Sequence, residues 1–588
     1  MTPLATFFRE YCLVGIEAGA VVAVVLLTVC FPGVASAFGR RLRWSGRRTG
    51  KFVVIFAALS VILLRIPLWP WEQVPDPGVH DEFSYLLAAD TFASGRLANP
   101  PHPMWVHFET FHVNAAPFYV SVYPPAQGLV LALGKTLAGA PWAGVLLSCA
   151  AMAATVCWAL RAWLPPPWPL LGGILIAIRL CTFSYWINSY WGGAVAAIGG
   201  ALVLGSLPRA MRRPRPAHGF LLGLGVVILA SSRPYEGFAF CVPLAVTVAI
   251  RTLRIKATDA RDWRRLVLLP ASLCVALGGI GGAYYCLRTT GHALLMPHQV
   301  NQHMYAMARP FIWQTPDSVP NYRHKSMQAL YERFRITYAR TRTFTGFVLQ
   351  TCKKAFRFWL FFVGPVFSIP LVVAPFTWRR RRTRLLLCSL AAVLVAITVE
   401  VYFLPHYAAP ATAALYGILL QSMRYMQPWR IRGKRAGLLI AHALPLICAA
   451  MLMVRVLGAT LGFSFRAEWP ETWYYTTPGM RARADLLRSL QSSGERHLVL
   501  VRYGENHIPD DEWVYNEADL DGAPVIWARD MGTSANRELV RYFSGRQIWI
   551  LEPDHLPATL RKYTDASDTA EPTNAVSIRL KPASAASR

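Results

Sequence analysis

Runs of about 20 apolar residues recur along most of this chain. Short loops rich in arginine and lysine separate them. This alternation limits the possible folds more than any other feature. Inside a bilayer only a helix or a closed barrel satisfies its own backbone polar groups, and runs this long suit helices. Of the 588 residues, 54% are hydrophobic and only 16% charged, less charge than a soluble chain of this length carries. The formal net charge of +28 would suit a nucleic-acid binder, but the cations sit in the loops between apolar runs. Positive-inside topology therefore explains them, and no nucleic-acid partner is expected.

The first run, 12–38, ends near Ala35-Ser36-Ala37, which has the look of a cleavage site. Arg9 is the only cation before it, Glu10 offsets that charge, and the run contains Glu17. It is read as a retained span rather than a signal peptide. Basic loops follow at 40–51, 209–215, 251–265, 379–384 and 430–435. Placing all of them inside puts four polar segments outside. These are 71–125, the Ser232-Arg233-Pro234-Tyr235-Glu236 turn, the long loop 289–344, and the Pro405-His406-Tyr407 turn. About a dozen crossings fit, with 129–137 too short to count surely as one. The aromatic stretch 184–191 reads as a membrane boundary.

After residue 457 the pattern changes. A helix is predicted over 477–492, short β-type runs at 498–501, 525–527 and 547–551, and a helix at 536–543. The expected architecture is a polytopic α-helical membrane protein with a small C-terminal extramembrane α/β domain. Its expected divisions are 1–459, with outer loops 71–125 and 289–344, and 460–588, ending in a mobile tail after Lys562. Eleven cysteines occur without any CxxC pair, which argues against a thiolate metal site or a disulfide scaffold.

The segment Val79-His80-Asp81-Glu82-Phe83-Ser84-Tyr85 opens a short helix, 82–94, of a length suited to lying at the membrane interface. Asp81 would serve as a helix N-cap and Glu82 would favour the helix dipole. A carboxylate close to a bilayer also invites a functional reading. His102, His107 and His112 lie nearby in sequence, at spacing too loose to define a metal site. Arg233-Pro234-Tyr235-Glu236 reads equally as a structural ion pair at a helix start or as a substrate contact. The 289–344 loop, with His292, His298, His303, Arg309 and His324, reads as a flap or as a solvated connection. The acidic run Asp510-Asp511-Glu512 lacks the spacing of an EF-hand loop and reads as solvated surface.

The order of these features resembles one family. An apolar span is followed by a Pro-containing turn, Asp-Glu-x-x-Tyr at 81–85, a helix ending in Gly-Arg-Leu, Phe108-Glu109, and Tyr123-Pro124-Pro125. This is similar to the GT-C glycosyltransferases, in the branch of lipid A aminoarabinose transferase and protein O-mannosyltransferase. Pro405-His406-Tyr407-Ala408-Ala409-Pro410 also resembles a late Arg-Tyr-x-x-Pro turn of that branch, with His406 where arginine is usual. The turn around Asn188 lacks the second acid that many relatives carry.

The resemblance implies a membrane glycosyltransferase using a polyprenyl-phosphate sugar donor on the outer face of a bacterial-type inner membrane. Asp81 is then the general base, while Glu82 and Glu109 orient the acceptor or a divalent metal ion. Tyr85, Arg233, His406 and Tyr407 are the candidates for the donor phosphate. The acceptor stays open among lipid, glycan and protein. Two other classes remain: a lipid or saccharide transporter or flippase, and a non-catalytic envelope assembly protein. A transporter is expected to show internal repeats and mid-span ionisable residues. No repeat is evident, and Glu17 is the exception among ionisable residues that otherwise lie in loops.

Overall fold

The computed structural model describes residues 3–41, 50, 52–379, 381–461, 472–476, 479–555 and 558–563. The centre of the first basic loop and the expected mobile tail from 564 onward lie outside these described residues. Seven described helices are long and apolar enough to cross a membrane: Tyr11–Cys30, Pro141–Leu160, Ala194–Arg212, Pro234–Arg254, Ala257–Thr290, Phe344–Thr377 and Gly437–Gly458. Four shorter apolar helices join them, at Phe52–Leu68, Trp168–Leu180, Pro216–Ala230 and Thr383–Val399. The chain is a multi-pass helical membrane protein.

The chain divides into two compact units. A helical unit comprises 1–74, 142–281 and 343–477, and an α/β unit comprises 75–141, 282–342 and 478–588. In the helical unit, small residues let backbones meet, as they do between membrane helices generally. A Cβ on Gly199 would lie 3.0 Å from the Gly225 carbonyl oxygen, and one on Gly225 would lie 2.8 Å from that of Gly199. The helices Ala194–Arg212 and Pro216–Ala230 therefore pack at glycine-to-glycine distance.

Glu17 is buried in this unit. It accepts from the Val366 backbone N–H at 2.9 Å and the Tyr474 hydroxyl, and lies 3.6 Å from the Arg179 guanidinium. Arg179 in turn stacks on the Phe367 and Trp473 rings. The aromatic stretch 184–191 does not form a boundary belt. Tyr185, Trp186, Tyr190 and Trp191 are buried in protein, with Tyr185 and Trp186 against Phe361. Polar atoms in such a segment need partners that lipid lacks, and protein supplies several of them: Tyr185 bonds to His406, and Trp142 donates to the Ile187 carbonyl.

In the α/β unit a two-stranded hairpin, β1 (Val113–Asn114) and β2 (Val120–Ser121), precedes a four-stranded sheet. That sheet contains β3 (His497–Val501), β4 (Val525–Arg529), β5 (Gln547–Glu552) and β6 (Thr559–Lys562) in the order β4-β3-β5-β6. β3 runs parallel to β4 and β5, and β6 closes the edge antiparallel. Parallel strands are apolar on both faces because both are covered. Side chains alternate accordingly. Leu498, Leu500, Ile526, Ala528 and Ile550 enter one core, while Val499, Val501, Val525, Trp527 and Leu551 enter the other.

The first of those cores also contains Phe83 and Leu87. The helix His80–Ala93 is therefore clamped to the C-terminal sheet rather than laid on an interface. The Phe83 ring stacks on Tyr515 with centroids 4.3 Å apart, and the Arg483 guanidinium lies 4.7 Å from the Phe83 centroid. Arg483 donates to the Trp513 and Tyr515 carbonyls. The 289–344 segment is neither an open flap nor a bare connection. It forms helices Pro297–Tyr305 and Lys325–Thr341 and builds a core from Tyr305, Met307, Met327, Leu330 and Tyr331 with Phe111. Glu512, expected at the surface, is fully buried against Arg529 at 2.6 Å, because that buried cation needs a counter-charge.

Candidate active site

The helix His80–Ala93 begins after Val79, so Asp81 and Glu82 both stand in its first turn and neither is the N-cap. Glu82 performs the capping. One of its carboxylate oxygens accepts from the Gly78 backbone N–H at 2.6 Å and from Val79 at 3.1 Å. Glu82 is buried, and its place is structural: it fixes where the helix starts. Asp81, one residue earlier, turns instead to other side chains, two of them from distant segments.

Those side chains are His80, His112 and Tyr123. The Tyr123 hydroxyl donates to one Asp81 oxygen, and His80 Nε2 lies 3.8 Å from the other. The His80 and His112 rings stack with centroids 4.7 Å apart. Tyr85 stacks on Tyr123 at 4.4 Å and so backs the hydroxyl that holds Asp81. His112 has a left-handed backbone, φ 55°, which is uncommon for a residue with a side chain. Its carbonyl accepts from Ser84 Oγ at 2.6 Å and from the Val122 N–H, which holds that conformation in place. Strained backbone maintained in this way concentrates at functional sites.

Electrostatics fix the protonation states. Burial raises the Asp81 carboxyl, but His112, His80 and the Tyr123 hydrogen bond outweigh it and hold the group below its ordinary value. Burial pushes the His112 imidazole down to about 4, against the pull of Asp81. At neutral pH, therefore, Asp81 is a carboxylate and His112 is neutral. The Asp81 carboxylate is 21% exposed and reachable.

The same three residues meet the requirements of a cation site. One ligand atom each from His80, Asp81 and His112 all lie within 4.8 Å of one another. His80 Nδ1 is buried with no hydrogen-bond partner among the described residues. A tetrahedral zinc site brings ligand atoms to about 3.3 Å, so side-chain closure of roughly 1 Å would complete it. Two imidazoles and a carboxylate are a ligand set that suits a divalent metal.

Glu109 lies elsewhere in the α/β unit. Its carboxylate accepts from the Tyr305 hydroxyl at 2.6 Å and pairs with Arg323 at 3.1 Å and His324 at 3.2 Å. Its own carbonyl accepts from Arg529 Nε at 2.6 Å. Burial raises the Glu109 carboxyl, yet the hydrogen bonds from His324 and Tyr305 and the electrostatic pull of His324 and Arg323 bring it below its ordinary value. Glu109 ties the 105–111 segment to 297–326 and to β4.

Arg233, His406 and Tyr407 fall in the helical unit. The Arg233 guanidinium lies 4.3 Å over the Tyr407 ring and 3.7 Å from Glu236. The Tyr185 hydroxyl accepts from the His406 backbone N–H at 2.9 Å, so its own proton goes to His406 Nδ1, also at 2.9 Å. That bond leaves the ring proton on Nε2. Burial, helped by Arg233, holds the His406 imidazole well below its ordinary value. His406 is thus a neutral donor, and Arg233 supplies the charge.

No family model matches the chain, and no curated protein matches it. Solved structures do match. The likeness is one of fold. The chain is similar to the Archaeoglobus fulgidus oligosaccharyltransferase tethered with an acceptor peptide, with TM-score 0.46 and 13% identity over 85% of this chain and 68% of that one. The same archaeal protein in complex with Zn and sulfate gives TM-score 0.44 and 13% identity, over 85% and 67%. ArnT from Cupriavidus metallidurans bound to undecaprenyl phosphate gives TM-score 0.46 and 13% identity, over 85% and 93%.

Sequence reasoning singled out Asp81 but not its full set of partners. His80 lay in the quoted segment without a role, and His112 was one of several loose histidines. The motif Tyr123-Pro124-Pro125 was the available signal, since its tyrosine is the residue that reaches Asp81.

Proposed function

We propose that this protein is a membrane glycosyltransferase that moves a sugar from a polyprenyl-phosphate donor to a hydroxyl acceptor on the outer face. The observation that carries the reading is the Asp81 carboxylate, ionised, reachable and held by Tyr123 and two histidines at a helix N-terminus. The acceptor oxygen attacks the anomeric carbon, and the bond from that carbon to the phosphate oxygen breaks. The bonding pair leaves with the lipid phosphate. Asp81 takes the hydroxyl proton as the new bond forms. The configuration at the anomeric carbon inverts. Arg233, backed by Tyr407, is the proposed cation for the lipid phosphate, and His406 offers it a neutral N–H donor. Tyr85 acts through Tyr123, and Glu82 and Glu109 position the segments that carry the site.

His80, Asp81 and His112 would hold a divalent cation. When bound, such an ion would supply positive charge to a donor or acceptor oxygen. The parity of the basic loops favours an outward-facing site in a bacterial-type inner membrane.

The test is transfer and hydrolysis from a panel of radiolabelled polyprenyl-phosphate sugars in proteoliposomes, wild type beside Asp81→Asn. Turnover that the substitution abolishes supports Asp81 as the base and identifies the donor. Absence of turnover with every donor, alongside lipid movement across the bilayer that Asp81→Asn leaves unchanged, would overturn the transferase in favour of a flippase.

A further inference from the structure

The α/β unit carries a cavity whose lining includes none of the residues assigned to sugar transfer. It measures about 330 Å³, at the small end of the range of about 300–1,000 Å³ typical of ligand sites. It opens at the carboxyl ends of two parallel strands, beside Val501 of β3 and Arg529 of β4. The strand order reverses at β3, since the chain passes from β3 to β4 on one side and then to β5 on the other. Ligands of open parallel sheets bind in the crevice that such a reversal leaves at the carboxyl ends. Asp554, just past β5, ties down the loop that follows β3. Its carboxylate accepts from the Gly504 backbone N–H and from His507 Nδ1, each at 2.8 Å.

The helix Lys325–Thr341 starts at the cavity wall, where Lys325, Ser326 and Ala329 line it. Its N-cap, His324, makes no side-chain bond to the first turn. Backbone N–H groups left open at a helix start attract an anion. Ser326 Oγ accepts from Arg529 at 2.9 Å, which leaves its own proton free to donate. Nothing here depends on unpaired charge. Among the lining residues Arg529 pairs with Glu512, Arg323 with Glu109 and Asp530 with Arg502, while Lys325 and Glu505 are exposed to solvent.

His507 adds an acceptor to these donors. Its side chain is 4% exposed, and its ring stacks on Tyr503 with centroids 3.9 Å apart. Asp554, outside the lining, takes the Nδ1 edge, so Nε2 is the edge left to the cavity. Nε2 is buried with no hydrogen-bond partner among the described residues. A carboxylate only accepts, so Nδ1 carries the proton and the neutral ring keeps its lone pair on Nε2. A buried polar atom left unfilled costs free energy. An oxyanion that also carries a hydroxyl satisfies both requirements: its oxygens accept from the helix start and Ser326, and its hydroxyl donates to Nε2.

We infer that this cavity binds a phosphate group accompanied by a hydroxyl, as hydrogen phosphate or as the phosphate ester of a small polyol. The site is independent of the glycosyltransferase reading, because its test measures binding and not turnover.

Full-length protein in a neutral detergent would be titrated calorimetrically at about pH 8 with inorganic phosphate, glycerol 3-phosphate, methyl phosphate and sulfate. At that pH the first two still carry a hydroxyl, whereas methyl phosphate is doubly ionised and, like sulfate, has none. The expected result is that inorganic phosphate or glycerol 3-phosphate binds about tenfold or more tightly than methyl phosphate and sulfate, the worth of one hydrogen bond. Tight binding of inorganic phosphate identifies the free anion as the source, and tight binding of glycerol 3-phosphate alone identifies the ester. His507→Phe keeps the stack on Tyr503 and should bring the preferred ligand down to the level of methyl phosphate. Lys325→Gln, at an exposed position, should weaken binding several-fold at unchanged melting temperature, and it is read alone should His507→Phe fail to remain monodisperse. No binding of either hydroxyl-bearing phosphate, or equal binding by wild type and variants, overturns the site. Equal affinity of the wild type for all four anions overturns the role of His507 and with it the proposed ligand.

Discussion

Two carboxylates in this molecule are each surrounded by aromatic rings and cations, and they are built differently. Around Glu17 both carboxylate oxygens are satisfied: a backbone N–H donates to one and a tyrosine hydroxyl to the other, while Arg179 lies against the Phe367 and Trp473 rings with its Nε and Nη1 lacking hydrogen-bond partners among the described residues. It is fully buried. Around Asp81 the set is incomplete: the carboxylate is partly exposed, His80 Nδ1 has no partner among the described residues, and His112 sits on strained backbone. A closed network fixes a packing arrangement. An open one keeps capacity for a ligand. Glu17 was the one residue that lent support to a transporter, and its partners are those of a structural pair.

The largest effect that would sharpen this contrast is on catalysis. Asp81→Asn should lower turnover by about 10²–10⁴-fold, the usual contribution of a general base, while the thermal melting midpoint stays near that of wild type. A comparable loss of stability would make Asp81 another structural acid. The converse holds at the closed network. Arg179→Met leaves the Glu17 charge buried without its cation and should destabilise by about 3–5 kcal/mol in a detergent melt. Adding Glu17→Gln should restore part of that loss, whereas unchanged stability in the single variant would erase the distinction.

Third comes the cation. His112→Ala should weaken zinc binding by about tenfold or more in equilibrium dialysis against a competing chelator, at unchanged melting temperature. Equal zinc affinity in both proteins would remove the metal role from this cluster.

The smallest effect belongs to Glu109, a closed network within the α/β unit. Its carboxyl is held below the ordinary value in the folded state. Its ionised form therefore contributes stability that is fully present above the unfolded carboxyl range and is lost as pH falls through the lower folded value. The difference in melting temperature between wild type and Glu109→Gln should be largest near neutral pH and shrink as pH drops below ~4.5. A difference that grows on acidification would show that the contacts of Glu109 with Arg323 and His324 do not stabilise the fold.

Much of the architecture was legible in the sequence because it follows from local patterns. The polytopic frame followed from run length and loop charge. The strands β3, β4 and β5 lay where short β-type runs were expected, and the helices Arg481–Ser492 and Thr533–Tyr542 began within four residues of the expected starts. The short helix around Asp81 was also anticipated, although its burial was not. An amphipathic run does not say what will cover it, and here Phe83 and Leu87 are covered by a sheet some 400 residues away in sequence.

The division between the two kinds of information is clearest at Asp81 and Glu82. By itself the sequence determined that two acids would open a helix after an apolar span, that cations would mark one end of the spans, and that a tyrosine motif would follow. Those are properties of neighbouring residues and of the solvent they prefer. Only the tertiary structure decided that Glu82 caps the helix while Asp81 meets His80, His112 and Tyr123. Such sites are assembled from side chains far apart in the chain, and their charges acquire meaning only once folding has removed water and brought them within a few ångströms of each other.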